Sequence, residues 1–364
     1  MKILARKSNR NFRKISAFSK ILSDIDNEFI FWNSEKIPVF DAFYEKQPDI
    51  YIDSTKNVDL ALIKCLKKYN QTKVILIGSF LHENCDSDKF SSKDEIELIK
   101  RLKEDTGKPD LIIGNCSDET SFSINHWKEI GCSTLSSPSA SDIYLCIKPS
   151  LNEKFISDIT YIGNFTHYKS QELENIIYPY HSNLDLSVKV FGKKEWPIIN
   201  YLGFIQDSDI KDAIFSAKVC PVISKKHTQK FGFDSPQYIF DILSNKGLAV
   251  CDYSIDINNM FGDKILMAKN TEEQLNIISK YIKNDEDRNE YINIGHNHVI
   301  SNHTYHHRLI DIFNKLNMND ISNIIEENFS TNKYAGTAIK GCGRLVKVLG
   351  GTVCLNSTAI CCPN

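Results

Sequence analysis

Three short segments in the second half of the chain combine residue types suited to holding a phosphorylated ligand. The stretch from Lys225 to Asp241 reads KKHTQKFGFDSPQYIFD. Asp234, Ser235 and Pro236 precede an amphipathic run, which predicts a helix capped by Asp234 or Ser235 with Pro236 in its first turn. A helix start of this kind offers backbone amides and a positive dipole end to an anion, with Lys225, Lys226 and Lys230 close in sequence. Tyr238 follows in the same turn. Asp241 falls further in, where a carboxylate can accept from ribose hydroxyls; the alternative is an ordinary capped helix with a solvated acid. Gly163-Asn164 closes the apolar run Asp158–Ile162, and a glycine there either lets amides approach a pyrophosphate or simply makes a turn. Gly192 closes Ser187–Phe191 and is followed by Lys193, Lys194 and Trp196. Two cations and a flat aromatic suit phosphates and a nucleobase, or else Trp196-Pro197 packs a loop.

Acid–base chemistry needs a titratable side chain at a strand end. His82 and Glu83, which follow the apolar run Lys73–Ile77 and Gly78, are the leading candidates for a general base, with His126 as second choice. His82 reads equally as a surface-loop histidine. His303 and His307 stand one helical turn apart, a spacing that metal ligands use, and His296, His298 and His306 lie nearby. No acid sits between that pair, and no metal or other cofactor is expected.

The elements that must position these residues alternate. The first half gives candidate strands Phe29–Trp32, Ile50–Ile52, Lys73–Ile77, Leu111–Gly114 and Ile143–Ile147, with helical patterns Val58–Lys68 and Lys93–Lys103 between them. The Ser- and Pro-rich stretch Ser133–Asp142 reads as a loop. The alternation then restarts with the strands Asp158–Ile162, Ser187–Phe191, Tyr201–Ile205, Val219–Ile223 and Leu248–Cys251, and with helices at Ser170–Tyr178, Asp209–Ala217, Gln237–Leu243, Glu272–Tyr281 and Glu286–Val299. Strands alternating with helices predict parallel sheets covered on both faces. The expected organisation is a Rossmann-like domain over residues 1–150, a second over 151–316, a linker over 317–327 and a Cys-rich tail over 328–364.

A chain of 364 residues with 41% hydrophobic and 25% charged residues has the composition of a folded two-domain protein rather than a disordered one. The formal net charge of −2 gives no reason to expect nucleic acid. The first fourteen residues are locally basic and read as a solvated arm, with anionic lipid or an acidic partner as the alternative. No apolar run is long enough to span a bilayer, and the start lacks the pattern of a secretory signal, so a cytoplasmic location is expected. Cys65, Cys85, Cys116, Cys132, Cys146, Cys220 and Cys251 are scattered singly, as small buried thiols are. Cys342, Cys354, Cys361 and Cys362 instead crowd the tail beside Thr352, Ser357 and Thr358. That composition resembles the core of a ribosomally made, modified peptide of the lanthipeptide or glycocin sort. The reading makes these seven residues candidate modification sites, acted on by this protein or by a separate peptide-modifying enzyme. A disordered tail, a disulfide-forming segment and a small metal clip are the alternatives.

Taken together, DITYIGNF, VFGKKEWP with YLGFI, SPQYIFDILSNKGLAVCD and HNHVISNHTYHHRLIDIF resemble the spore-maturation CgeB-type glycosyltransferases over roughly residues 28–316. His303, Thr304, Tyr305 and Arg308 match the family's closing H-T-Y-x-x-R. The resemblance implies a GT-B fold, that is, α/β with two Rossmann-like doubly wound domains facing a cleft. It also implies a nucleoside-diphosphate sugar donor in the second domain, an acceptor site in the first and no metal requirement. The acceptor is unidentified, a peptide among the candidates. One departure stands out. Where the family commonly has Arg followed by Glu, this chain has Tyr238 and Asp241, and a tyrosine supplies a hydrogen bond without the charge. Lys225 or Lys230 is the expected substitute. Failing that, the chain is an inactive scaffold that carries its tail.

Overall fold

The computed structural model describes residues 1–6, 12–33, 38–55, 60–69, 72–78, 93–103, 107–115, 122–146, 148–165, 170–181, 185–224, 235–331, 347–348 and 351–352. The chain divides into a first unit, Met1–Ser139 with Tyr305–Asn328, and a second unit, Ala140–Thr304 with Phe329–Asn364.

In the first unit the strands β1 (Lys2–Arg6), β2 (Glu28–Trp32), β3 (Ile50–Ser54), β4 (Lys73–Ile77), β5 (Leu111–Gly114) and β6 (Thr134–Ser136) form a sheet in the order β2-β1-β3-β4-β5-β6. Each described pairing is parallel, so the carboxyl ends of the strands share one edge. Alternation along the strands supplies both faces. Leu4, Tyr51, Leu76 and Ile112 pack on one side with Trp127. Ile3, Ile50, Ile52, Ile75 and Ile113 line the other, against Phe18 of the helix Phe12–Ser23 and Phe313 of the helix Tyr305–Lys315.

The basic amino terminus is therefore not a solvated arm. Its Ile3-Leu4-Ala5 core is fully buried as β1, paired on both sides, and Lys14 is buried as well. Flanking charge hid a three-residue apolar run too short to show a period. Ile143–Ile147, expected as a strand, instead begins with the short 3-10 helix Ile143–Leu145, whose first turn is closed by the Asp142 carboxylate accepting from the Tyr144 amide at 3.2 Å.

In the second unit β7 (Ser157–Ile162), β8 (Val188–Phe191), β9 (Ala217–Val222), β10 (Ala249–Asp252) and β11 (Leu266–Ala268) form a parallel sheet in the order β11-β10-β9-β7-β8. The expected strand Tyr201–Ile205 is reduced to a bridge between Tyr201 and Val190 of β8, with the Leu202 amide on the Val190 carbonyl at 2.9 Å. One face of the sheet packs against the helices Gln237–Ser244 and Asp285–Asn302 through Phe240, Leu243 and Val299. The other packs Ile176, Ile177 and Ile278 from the helices Ser170–His181 and Thr271–Lys283. Residues 317–327, read as a linker, lie mostly in the helix Asn319–Ser330, whose Ile325 and Phe329 are buried. In the tail, Thr352 belongs to a two-residue strand Gly351–Thr352 paired antiparallel with Lys347–Val348. Cys342, Cys354, Ser357, Thr358, Cys361 and Cys362 lie outside the described residues.

Candidate functional site

In the second sheet the chain steps from β7 outward to β8, then returns to place β9 on the other side of β7. The carboxyl ends of β7 and β9 therefore flank a topological switch point, where open parallel sheets bind ligands. Four of the candidate residues meet beside it. Gly163 donates its amide to Phe191 O at 2.8 Å, and Asn164 Oδ1 accepts from the amides of Lys193 at 2.6 Å and Lys194 at 3.1 Å. A methyl group on Gly192 would stand 2.4 Å from Gly163 O, so the two strand ends touch backbone to backbone and only glycine fits. The Asn164 carboxamide thus fixes the lysine turn, and both lysine side chains are exposed. The Lys193 ammonium lies 5.4 Å from the Phe204 ring centre.

Trp196 has a different place from that of a free aromatic platform. It is 2% exposed, donates its indole N–H to Gly163 O at 2.9 Å, and meets Tyr161 and Phe165 edge-on. Here it packs the loop. Among the described residues, Phe204 is an exposed aromatic at this strand end.

The helix Gln237–Ser244 begins differently from its expected form. Pro236 is the residue at the cap position, no side-chain cap is present among the described residues, Ser235 lies just before it, and Asp234 lies outside the described residues. Proline is tolerated at this position because its ring fixes φ, here −55° with ψ 133°, and its missing N–H is not needed before the first turn. Tyr238 is turned inward. Its hydroxyl is buried without a conventional hydrogen-bond partner, against Cys220 of β9, Tyr161 and Asp241. Burial pushes its phenol well above the ordinary value, and the Cys220 thiol is likewise pushed up to about 12, chiefly by burial. The hydroxyl is thus not presented to a ligand at the helix start. Asp241 is 5% exposed and accepts from Gln237 Nε2 at 3.2 Å, while the same Nε2 donates to Ala140 O at 2.8 Å. Lys225 and Lys230 lie outside the described residues, as do His82 and Glu83. His126 stands in the helix Phe122–Glu129 with Nδ1 3.6 Å from Glu129 Oε2.

Three residues of this edge carried no sequence signal of their own. Ser224, just past β9, donates its amide to Asp252 Oδ2 at 2.7 Å, and its buried hydroxyl has no partner among the described residues. Gln274 is buried and donates Nε2 to Val222 O at 3.3 Å and Val250 O at 3.1 Å, tying the ends of β9 and β10. Asp252 and Ser224 are polar residues that end apolar strands, which is the only trace they leave in the sequence.

The histidines serve the backbone. His296 Nδ1 lies 3.0 Å from Leu243 O, and His298 Nε2 and His303 Nε2 share Met260 O at 2.7 and 3.0 Å. Thr304 is fully buried and bridges Ser141 within the second unit. Arg308, within the first, donates to Pro138 O at 3.2 Å and Ser139 O at 3.3 Å. The closing motif thus holds main chain where it leaves and re-enters each unit's fold. Arg308 is so buried that its pKa falls to about 10.

A family model described as glycosyl transferase-like matches residues 171–314, the stretch that contains β8 to β11 and the helix Gln237–Ser244. No curated protein matches the sequence. Among solved structures, sucrose-phosphate synthase from Thermosynechococcus elongatus is similar with a TM-score of 0.63 and 9% identity, over 90% of this chain and 99% of that one. Anabaena Alr3699/HepE, solved in complex with UDP and glucose, is similar with a TM-score of 0.54 and 12% identity, over 90% of this chain and 100% of that one. The trehalose-6-phosphate phosphatase N-terminal domain of Candida albicans gives a TM-score of 0.55 at 8% identity, over 87% and 97%. The two parallel sheets with their surrounding helices are the α/β architecture of GT-B glycosyltransferase structures, and the second unit's matched stretch is similar to the glycosyl transferase-like family.

Proposed function

We propose that this chain is a glycosyltransferase of the CgeB type that moves a sugar from a nucleoside-diphosphate sugar to an acceptor. The observation that carries the reading is the start of the helix Gln237–Ser244, which has no side-chain cap among the described residues, within the matched stretch of the second unit. Backbone amides there are suited to a diphosphate, and the Ser224 hydroxyl at the end of β9 is a further donor. In the reaction an acceptor oxygen or sulfur attacks the anomeric carbon as the bond to the diphosphate breaks. The acceptor's proton passes to a base, for which His82 or Glu83 is proposed, and the leaving diphosphate takes the electron pair. Lys225 and Lys230 are proposed to supply the charge that Tyr238 does not. UDP is the nucleotide proposed first, because the similarly folded Anabaena protein was solved with UDP-glucose.

Among the described residues no helix is long and apolar enough to cross a membrane, and a cytoplasmic location is part of the proposal. The tail is proposed as a peptide acceptor in cis, or as the substrate of a separate modifying enzyme, through Cys342, Thr352, Cys354, Ser357, Thr358, Cys361 and Cys362.

Calorimetric titration of the full chain with UDP-, GDP- and TDP-sugars tests the donor half of the reading. Saturable binding of one of them, with slow hydrolysis to the nucleoside diphosphate and the free sugar, is the expected result. Binding to none by a folded chain would sink it in favour of a non-catalytic scaffold. Intact-mass measurement of the chain from its host tests the tail, for which an unmodified mass is the contrary outcome.

A further inference from the structure

The first unit carries an open cleft of about 950 Å³ at the amino edge of its sheet. Asp49 leads into β3 and Thr72 leads into β4, so part of the lining comes from where these parallel strands begin. Open parallel sheets place reacting ligands at the opposite edge, where the strands end. The helix Val39–Lys46 supplies a wall, and Met318 also lines the space. The volume is at the upper end of the range of about 300–1,000 Å³ for small-molecule sites.

The helix reads VFDAFYEK and buries only part of its apolar surface. Ala42 and Phe43 pack into the core with Leu4 and Tyr51. Phe40 and Tyr44 line the cleft instead, 44% and 83% exposed. Residues four apart on a helix are neighbours, their Cβ atoms about 5–6 Å apart, close to the length of one pyranose unit in a chain. Two exposed rings so paired beside a cleft form a binding surface rather than scattered apolar exposure. The helix stops at Gln47, whose φ of 46° is unusual for a residue with a side chain and whose amide donates to Phe43 O at 2.8 Å. Gln47 and Asp41 line the same cleft.

The chemistry of the lining selects the ligand. Asp41 and Asp49 contribute carboxylates, while the Lys73 ammonium is matched by Asp110 Oδ1 at 3.7 Å, so the site does not favour an anion. The main chain of the floor is already paired: the Asp49 amide donates to Lys2 O at 2.9 Å and the Lys73 amide to Asp49 O at 2.9 Å. β3 and β4 are interior strands, and an extended peptide finds no strand edge to join. What the cleft offers is two aromatic faces with carboxylate and amide groups beside them. Asp49 uses Oδ2 to accept from the Lys2 amide at 2.7 Å, and a carboxylate has lone pairs on both oxygens. The C–H face of a pyranose suits the negative face of an aromatic ring, and its hydroxyls suit Asp41, Asp49 and Gln47.

We infer that this cleft binds a neutral oligosaccharide. Its place at the amino edge makes it a site that holds a sugar chain without acting on it. The inference goes beyond the donor reading and stands on the first unit's geometry alone.

The full chain is titrated by calorimetry with maltotetraose, cellotetraose and chitotetraose, and with tetragalacturonate as an anionic counterpart. UDP is titrated as an independent report on the second unit. Saturable binding of a neutral tetrasaccharide, tighter than that of tetragalacturonate, is the expected result. Phe40→Ala and Tyr44→Ala, at exposed positions, are each expected to weaken it about ten-fold. Gln47→Gly is expected to weaken it about five-fold while holding or raising the melting temperature, because glycine takes a positive φ without strain. A purely structural role would not give that pairing. Failure of every neutral tetrasaccharide to bind the folded chain overturns the inference. So does tighter binding of tetragalacturonate, or binding that Phe40→Ala and Tyr44→Ala leave unchanged. Binding of a synthetic peptide of residues 341–364 with no saccharide bound also overturns it, and gives the cleft to the chain's own tail. Absence of UDP binding alone sinks the donor reading and leaves the cleft standing.

Discussion

Gly192 and Asn164 set the geometry of the candidate donor site more firmly than the charged residues around them. Gly192→Ala would put a methyl group 2.4 Å from Gly163 O, a backbone atom that cannot rotate away. The expected cost is about 2–3 kcal/mol, read from the urea midpoint, with weaker nucleotide binding as the two strand ends separate. Asn164→Ala removes the acceptor for two loop amides and is expected to cost about 1–2 kcal/mol by the same measurement. Tyr238 argues in the opposite direction. Because its buried hydroxyl has only the weak Cys220 thiol as a partner among the described residues, Tyr238→Phe should change stability by no more than about 1 kcal/mol and leave UDP binding unchanged. From the sequence, an arginine at this position promised a tighter phosphate site. The inward side chain reverses that expectation, since the guanidinium would enter a layer formed by Cys220, Tyr161 and Asp241. A donor affinity raised by Tyr238→Arg would contradict the placement.

At the scale of elements, the packing of Gln237–Ser244 against Asp285–Asn302 carries a pH dependence. His296 is buried between them with Nδ1 on Leu243 O, so the neutral ring donates there. Burial, with Lys246 adding, lowers its pKa from 6.5 to about 4. Between these values the unfolded chain binds a proton that the folded chain does not. Stability is therefore complete above about 6.5 and falls as pH drops toward 4, by up to about 3 kcal/mol from this group. His296→Gln keeps a donor and should flatten the melting temperature across that window; an unchanged slope would remove His296 as its source. The sequence showed this helix, and it showed β3, β4 and β5, because runs of Ile, Leu, Val and Tyr bounded by polar residues or glycine read as strands. It did not show β1, whose three buried residues are flanked by Lys2 and Arg6, nor β6, whose Thr134–Ser136 looks like loop chemistry. The glycines and Asn164 were legible because strand ends need them. The burial of Trp196 and the inward turn of Tyr238 were not, since both depend on which face of a loop or helix meets the sheet.

At the scale of the whole molecule, each unit has its own sheet and its own core on both faces, so each is expected to respond to its own ligand. A ligand that binds only the folded form stabilises the part it binds by RT ln(1 + [L]/Kd), about 2.7 kcal/mol at a hundred times Kd. If the nucleotide sits at the strand ends of β7 and β9, UDP should slow amide hydrogen exchange at Gly163, Ser224 and the first turn of Gln237–Ser244. The measurement places the donor without relying on turnover. Protection by UDP confined to the first unit would move the donor out of the matched stretch, and with it the reason for reading residues 171–314 as the nucleotide-binding half.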